Sequence, residues 1–250
     1  MSKHEPAEEH CARSGDWPKP THWSVVLAAA NPNAPGARSA LESLCETYWY
    51  PVYAYVRHRL QKPADAEDLT QAFFLHLLES GVLATTRPER GRFRSFLRVC
   101  LDNFLASQWR SAHAEKRGGR FRFVTWDPVW AERHYEAQHQ INLPPEQLYD
   151  RNWALTVLQR VLDRLRSEMT PESDAQLFDH LKDRLLDDDG TASYAETSRQ
   201  LGVAEATLRK TVSRLRRRYG ELLQHEVAQT VASPSDVEGE LRHLLAVVSA

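Results

Sequence analysis

Apolar residues recur three and four positions apart through most of this chain, and this spacing limits the fold more than any other feature. In residues 37–60 the spaced positions are Leu41, Leu44, Cys45, Tyr48, Val52, Tyr55 and Val56. Side chains at this spacing share one face of an α-helix, whereas a half-buried strand alternates every second residue. Strand patterns and internal repeats are almost absent. The sequence therefore predicts an all-α protein.

Stretches rich in proline, glycine and polar residues divide the helical pattern into domains. Residues 1–20 are polar, and we expect them to form a disordered lead. Residues 118–150 are poorly periodic and contain three prolines, as is typical of a linker. We expect one helical domain at 21–117, a second at 151–231, and a C-terminal tail at 232–250 that is apolar enough to dock internally.

Charge is distributed unevenly, although the formal net charge is only −2. Basic residues outnumber acidic ones in residues 90–122 and again in 199–219. Such islands in a nearly neutral chain are typical of local phosphate contact, although each run alone also fits a solvated surface. With 42% hydrophobic and 26% charged residues, the composition is that of a globular protein. No signal peptide or apolar run of ~18 residues is present, so we expect a cytoplasmic protein with no membrane partner.

The sequence gives no indication of a cofactor, a metal or a small-molecule substrate. Cys11, Cys45 and Cys100 are widely spaced and match neither a metal site nor a disulfide framework. We interpret Cys45 and Cys100 as small core residues. His4, His10 and Cys11 fit a flexible chain start better than a metal site. Because no Gly-rich phosphate loop or nucleophile motif occurs, we do not expect an enzyme.

Residues 193–219 predict a helix-turn-helix. Ser193 and Glu196 form a capping-box pattern, and Gly202 permits the left-handed turn that closes the first helix. Ala204 precedes the second helix, where Ser or Thr would be the more favourable cap. The second helix has an apolar face made of Leu208, Val212, Leu215 and Tyr219.

The opposite face of that second helix is polar and basic. In this motif the start of the second helix enters the major groove and the remainder contacts the backbone. The base-edge candidates are Glu205, Thr207, Arg209 and Lys210. The phosphate candidates are Arg214, Arg217 and Arg218.

A second motif, PADAEDLTQAFF, occupies residues 63–74. It predicts an amphipathic helix whose first turn is acidic, which suits the positive end of the helix dipole. The motif resembles the polymerase-binding helix, region 2.2, of extracytoplasmic-function (ECF) sigma factors. Residues 41–60 are similar to the preceding helix of that domain, and residues 93–110 to the helix that reads and melts the −10 promoter element. The helix-turn-helix resembles region 4, which reads the −35 element.

Four short phrases extend the resemblance to the ECF-like group common in planctomycetes and related bacteria. They are WSVVL at 23–27, YWYP at 48–51, RGRFRSFL at 90–97 and AQTV at 228–231. The resemblance implies a sigma factor whose partners are core RNA polymerase and promoter DNA. It also implies control by an anti-sigma factor or a regulatory kinase.

The resemblance implies roles for individual residues. The polymerase-binding candidates are Asp65, Asp68, Gln71, Phe74 and Glu79, with Ala72 where the family usually has an acid. The −10 candidates are Arg94, Arg98, Asn103, Gln108 and Arg110, with Asp102 where a basic residue is common. Loop 81–91 is where the family captures a flipped base, but this loop contains no aromatic residue.

Two other interpretations remain open at the level of sequence. The chain could be a stand-alone helix-turn-helix transcriptional regulator whose N-terminal half only dimerises. It could also be an enzyme acting on nucleic acid, although His134 and His139 are not spaced as zinc ligands on a helix.

Overall fold

The fold is all-α, as the apolar spacing predicts. The computed structural model describes residues 23–31, 35–87, 91–112, 127–139, 143–169, 172–182, 185 and 194–249, and no strand occurs among them. The helices of the first half are α1 (Trp23–Ala29), α2 (Ala37–Arg59), α3 (Pro63–Glu79), α4 (Phe93–Ala112) and α5 (Pro128–His139). Those of the second half are α6 (Pro145–Ser167), α7 (Glu172–Leu181), α8 (Tyr194–Leu201), α9 (Glu205–Ala228) and α10 (Val237–Ser249). Short 3₁₀ turns at Val82–Thr85 and Pro234–Asp236 precede α4 and α10.

Helix α2 is the centre of the molecule. It contacts α1, α3, α5 and α6, and every residue from Thr47 to Val56 is buried. A helical segment that is buried on all sides lies in a core rather than at a surface. The buried tyrosines keep polar partners: Tyr53 Oη donates to Glu132 at 2.6 Å, and Tyr55 Oη donates to Asp102 at 2.5 Å.

Helix α6 joins the two halves of the chain by lying antiparallel on α2. Thr47 contacts Arg160, while Arg59, near the other end of α2, lies 3.5 Å from the Glu146 carboxylate. Between them the rings of Tyr55 and Tyr149 meet edge to face with centroids 6.0 Å apart. On its other side α6 contacts α7, α9 and α10. One continuous apolar core therefore runs from α1 to α10.

Within residues 118–150, which the sequence predicts to be a linker, the structure contains α5 and the first turns of α6. Both helices begin at prolines, whose fixed φ suits the first helical position. Ala131 and Tyr135 are buried against α2, and the Arg57 guanidinium lies 5.0 Å from the Tyr135 ring centroid. Helix α6 starts at Pro145 rather than near residue 151. The expected disordered lead, 1–20, lies outside the described residues.

The C-terminal tail docks internally, as its apolar residues predict. Val237 and Leu244 are buried, and α10 contacts both α6 and α9. Leu245 is an exception, since it is more than half exposed. The tail thus belongs to the same core as the other helices.

Candidate nucleic-acid interface

Helices α8 and α9 are joined by a tight turn that sets the orientation of α9. Gly202 has a φ of 64°, which favours glycine. The amide of Val203 donates to the carbonyl of Ser198 at 3.2 Å, and the Ser198 hydroxyl donates to the carbonyl of Val203 at 2.6 Å. Ala204 caps α9 without a side-chain hydrogen bond, as the sequence suggests. Ser193, the expected cap of α8, lies outside the described residues.

The buried and exposed faces of α9 agree with those predicted from the sequence. The predicted inner residues Leu208, Val212, Leu215 and Tyr219 are all buried. The exposed residues are Thr207, Arg209, Lys210, Arg214, Arg217 and Arg218, while Glu205 is half-buried. This puts a basic stripe along one side of the molecule.

Arg209 is held in place at the start of this basic stripe. Its guanidinium carbon lies 4.6 Å from the ring centroid of Tyr194, at the first residue of α8. Nη2 of Arg209 also lies 3.7 Å from the Glu205 carboxylate. Stacking on an aromatic ring reduces the number of conformations that a long side chain samples.

Arg218, at the far end of the stripe, is already paired. It donates to Glu168 from Nε at 2.8 Å and from Nη2 at 2.9 Å, and to Glu221 from Nη1 at 3.1 Å. The hydrogen bond from Arg218 lowers the pKa of Glu168, and the hydrogen bond to Glu168 raises the pKa of Arg218. A phosphate would have to compete with these two carboxylates for Arg218.

Helix α4 does not present its five −10 candidates on one surface. Asn103, Gln108 and Arg110 are exposed, and Arg98 is half-buried. Arg94 is only 4% exposed. Three candidates are therefore accessible from the middle of the helix onward, whereas the one at its start is covered.

The position of Arg94 differs from that expected of a DNA contact. Its guanidinium donates to Glu240 of α10, with an Nη1–Oε1 distance of 2.9 Å, and lies 4.6 Å from the ring centroid of Trp153 in α6. Its carbonyl also accepts a hydrogen bond from Tyr149 Oη at 3.2 Å. In this structure Arg94 joins the two halves of the chain.

A pocket of about 270 Å³ lies beside Arg94, between the start of α4, helix α1 and the segment after α3. Its lining residues are Trp23, Thr85, Thr86, Arg87, Gly91, Arg92, Ser95, Phe96 and Val99. Loop 81–91 lacks an aromatic residue, but Trp23 and Phe96 supply aromatic surface from the neighbouring helices. Sequence reasoning missed this arrangement because Trp23 and Phe96 are 73 positions apart in the chain.

Helix α3, which packs on α2, exposes acidic side chains. Asp65, Asp68 and Glu79 are exposed, and Gln71 Nε2 donates to Glu67 at 3.1 Å. Phe74 differs from the prediction of a contact residue, because it is buried against the ring of Phe73. Phe74 thus stabilises the domain from within.

Cys45, Cys100 and His134 are all partly or fully covered by neighbouring side chains. Cys45 is buried and Cys100 half-buried, and burial raises the pKa of the Cys45 thiol to about 12 and that of Cys100 to about 11. His134 stacks on Trp130 with centroids 5.0 Å apart, and burial lowers its pKa. In the described part of the chain, no cluster of side chains could hold a metal ion.

Comparison with known proteins gives one match. Residues 44–115 match the family model of sigma-70 region 2. The matched segment contains most of α2, all of α3 and all of α4. No curated protein and no solved structure matches the chain. Among the described helices, none has both the length and the apolarity needed to cross a bilayer.

Proposed function

We propose that this protein is an ECF-type sigma factor, which binds core RNA polymerase in the cytoplasm and directs it to particular promoters. The observation that supports this most strongly is the sigma-70 region 2 match together with the basic outer face of α9 in the second half of the chain. A DNA-reading helix alone would fit many regulators. The combination with a region 2 domain favours a transcription initiation factor over a stand-alone regulator.

The exposed start of α9 is suited to reading base edges in the major groove. Arg209 and Lys210 can donate to guanine, and Glu205 can accept from cytosine. Arg214 and Arg217, about one and two turns further along, are exposed and suited to the phosphates on either side. We assign recognition of the −35 element to this face.

The pocket beside α4 is suited to hold one unstacked base. Its volume of about 270 Å³ lies just below the usual range for ligand pockets, about 300–1,000 Å³. Phe96 and Trp23 offer apolar ring surface, while Arg87 and Arg92 offer donors at the pocket wall. Extrusion of a base costs a few kcal/mol, and such contacts offset that cost. We assign the first melted position of the −10 element to this pocket, and the neighbouring phosphates to Arg98, Asn103, Gln108 and Arg110.

The exposed acids of α3 are suited to a basic protein partner. Asp65, Asp68 and Glu79 lie on one helix that the match assigns to region 2. Charges at the rim of an interface increase the association rate and select the partner more than they increase affinity. We assign core polymerase binding to this helix, without a direct contact from Phe74.

Two measurements with purified full-length protein test the proposed function. Core RNA polymerase should co-purify with the protein, and the assembled enzyme should start run-off transcripts from specific sites in a library of genomic promoters. Sequence-specific DNA binding without any polymerase binding would instead establish a stand-alone regulator. Hydrolysis of DNA or RNA in a substrate panel would establish an enzyme.

A further inference from the structure

The buried carboxylate of Glu240 in the C-terminal helix has no role in the proposed promoter contacts. Glu240 is fully buried, and its Oε2 lies 2.7 Å from Nε of Arg92, while its Oε1 accepts from Nη1 of Arg94 at 2.9 Å. A charged side chain rarely becomes fully buried unless it is paired. Glu240 therefore pairs with two cations that lie 146 or more positions earlier in the chain, and Nε of Arg94 also lies 3.8 Å from Asp150 of α6.

These two cations lie where a nucleic-acid phosphate would be expected. Arg92 lines the pocket that we assign to the flipped base, and Arg94 is a −10 candidate in the first turn of α4. The N-terminus of a helix favours a negative charge. A carboxylate and a phosphate offer the same oxygen acceptors to a guanidinium, so Glu240 occupies a site that would suit a phosphate.

The C-terminal end of α10 is held to α6. Nη1 of Arg151 in α6 donates to the carbonyls of Val247 at 3.3 Å and Val248 at 2.7 Å, in the last turn of α10. Cationic groups there satisfy open carbonyls and suit the helix dipole. Leu244 is completely buried between these two attachments.

We propose that α10 is an intramolecular clasp that holds the two DNA-reading halves together and competes with promoter DNA for Arg92 and Arg94. The inference rests on the proposed function, because it takes the start of α4 as a DNA contact. With Arg94 also covered by Trp153 of α6, DNA reaches this arginine only when α6 and α10 separate from α4 together. Promoter phosphates then replace the Glu240 carboxylate, and the fraction of open molecules limits the apparent affinity.

The test compares two carboxylates on the same helix. Glu238 is 82% exposed and pairs only with Arg242 at 3.2 Å, so Glu238→Gln changes the net charge as Glu240→Gln does and leaves Arg92 and Arg94 paired. Binding is measured by fluorescence anisotropy with a short labelled single-stranded DNA of mixed sequence. Glu240→Gln should bind about tenfold more tightly than the wild type, as expected for a tenfold larger open fraction, and Glu238→Gln should bind like the wild type.

A second variant and amide hydrogen exchange test the clasp in the absence of DNA. Arg151→Gln releases the C-terminal end of α10 without altering Arg92 or Arg94. Both Glu240→Gln and Arg151→Gln should increase amide hydrogen exchange in α10 at least tenfold, and Glu238→Gln should not. Unchanged exchange in α10 would overturn the clasp, and faster exchange without tighter DNA binding would overturn the competition.

The same measurements distinguish failure of the clasp from failure of the proposed function. If the protein neither binds core polymerase nor supports transcription, but Glu240→Gln and Arg151→Gln increase exchange and Glu240→Gln increases single-strand affinity, then the clasp controls a nucleic-acid site of another kind. If transcription occurs and the three variants match the wild type in both measurements, the sigma-factor proposal stands and the clasp is wrong.

Discussion

Arg218 near the middle of α9 donates hydrogen bonds to both carboxylate oxygens of Glu168, which follows the last residue of α6, at 2.8 and 2.9 Å. The pair is solvent-exposed, and an exposed ion pair contributes only about 0–1 kcal/mol. A phosphate can therefore displace Glu168 at small cost. We therefore expect the pair to compete with DNA phosphates for Arg218.

Glu168→Gln should strengthen binding to duplex DNA of any sequence by about two- to fivefold, because the free-energy cost of separating an exposed pair is within about 1 kcal/mol. The affinity should also fall more steeply as salt rises, since one more phosphate contact is available. Filter binding over a salt series measures both. The control is Asp163→Asn, an equal charge change at an exposed position of α6. If both variants gain the same affinity for duplex DNA, net charge rather than Arg218 explains the effect.

Arg209→Ala should reduce binding to the preferred −35 sequence by about 1–3 kcal/mol and leave binding to mixed-sequence DNA nearly unchanged. Arg209 is exposed and oriented by the Tyr194 ring, so its loss removes a positioned donor rather than a core contact. Competition binding with specific and mixed duplexes gives both values. Arg214→Ala is the comparison, and it should weaken the two duplexes alike. Equal losses for Arg209→Ala on both duplexes would show that Arg209 contacts phosphate.

Phe96→Ala should impair promoter melting more than promoter binding, because Phe96 lines the pocket assigned to the unstacked base. Loss of base stacking on an aromatic side chain typically costs about 1–3 kcal/mol. Permanganate reactivity of the melted strand measures opening, and a gel shift with intact duplex measures binding. Leu27→Ala removes an exposed apolar residue from α1 and should alter neither. Normal melting by Phe96→Ala would exclude stacking on this ring.

Asp65→Asn combined with Asp68→Asn should slow association with core polymerase about tenfold at low salt, because steering by rim charges depends on ionic strength. Both side chains are exposed, so the fold should be unaffected. Surface plasmon resonance with immobilised polymerase gives the association rate. The matched control is Glu46→Gln on the exposed side of α2 together with Asp163→Asn on α6. An unchanged rate for the α3 variant would place the polymerase contact elsewhere.

Local periodicity predicts helices well in this protein because the buried positions of most helices recur every three to four residues. The inner face of α9 follows from residues 208–219 alone, and its buried residues agree with the prediction. The helical pattern at residues 37–60 agrees to within one residue with α2, which spans Ala37–Arg59. The periodicity does not mark α5 as a helix, because α5 buries few apolar side chains and its pattern resembles that of an irregular segment.

The covered functional residues are harder to predict, because their partners are distant in sequence. Arg94 is spaced three and seven positions before Leu97 and Leu101, which are both buried, so its own spacing indicates the inner face of α4. Its charge suggested a surface position instead. Only the three-dimensional structure shows that Glu240 neutralises Arg94, since nothing in the sequence relates positions 146 apart.

Glu226 is a second buried acid, and it predicts a pH dependence of stability. It lies on the inner face of α9, one turn beyond Leu222 and Leu223. Burial raises its pKa from 4.5 to about 7, although Arg160 and Arg164 of α6 act to lower it. Between pH 4.5 and 7 the folded protein therefore binds more protons than the unfolded chain. Stability from this group is fully present below about pH 4.5 and is lost as pH rises through 7.

Glu226→Gln removes the charge that the folded protein must bury at high pH. At pH 8 the variant should exceed the wild type in free energy of unfolding by about 1–3 kcal/mol, and near pH 4.5 the two should be nearly equal. Urea unfolding followed by circular dichroism at both pH values measures the difference. Glu221→Gln, on the exposed side of the same helix, should show little pH-dependent change. If Glu226→Gln is no more stable than the wild type at pH 8, then Glu226 is ionised at little cost and Arg160 and Arg164 neutralise it in the folded state.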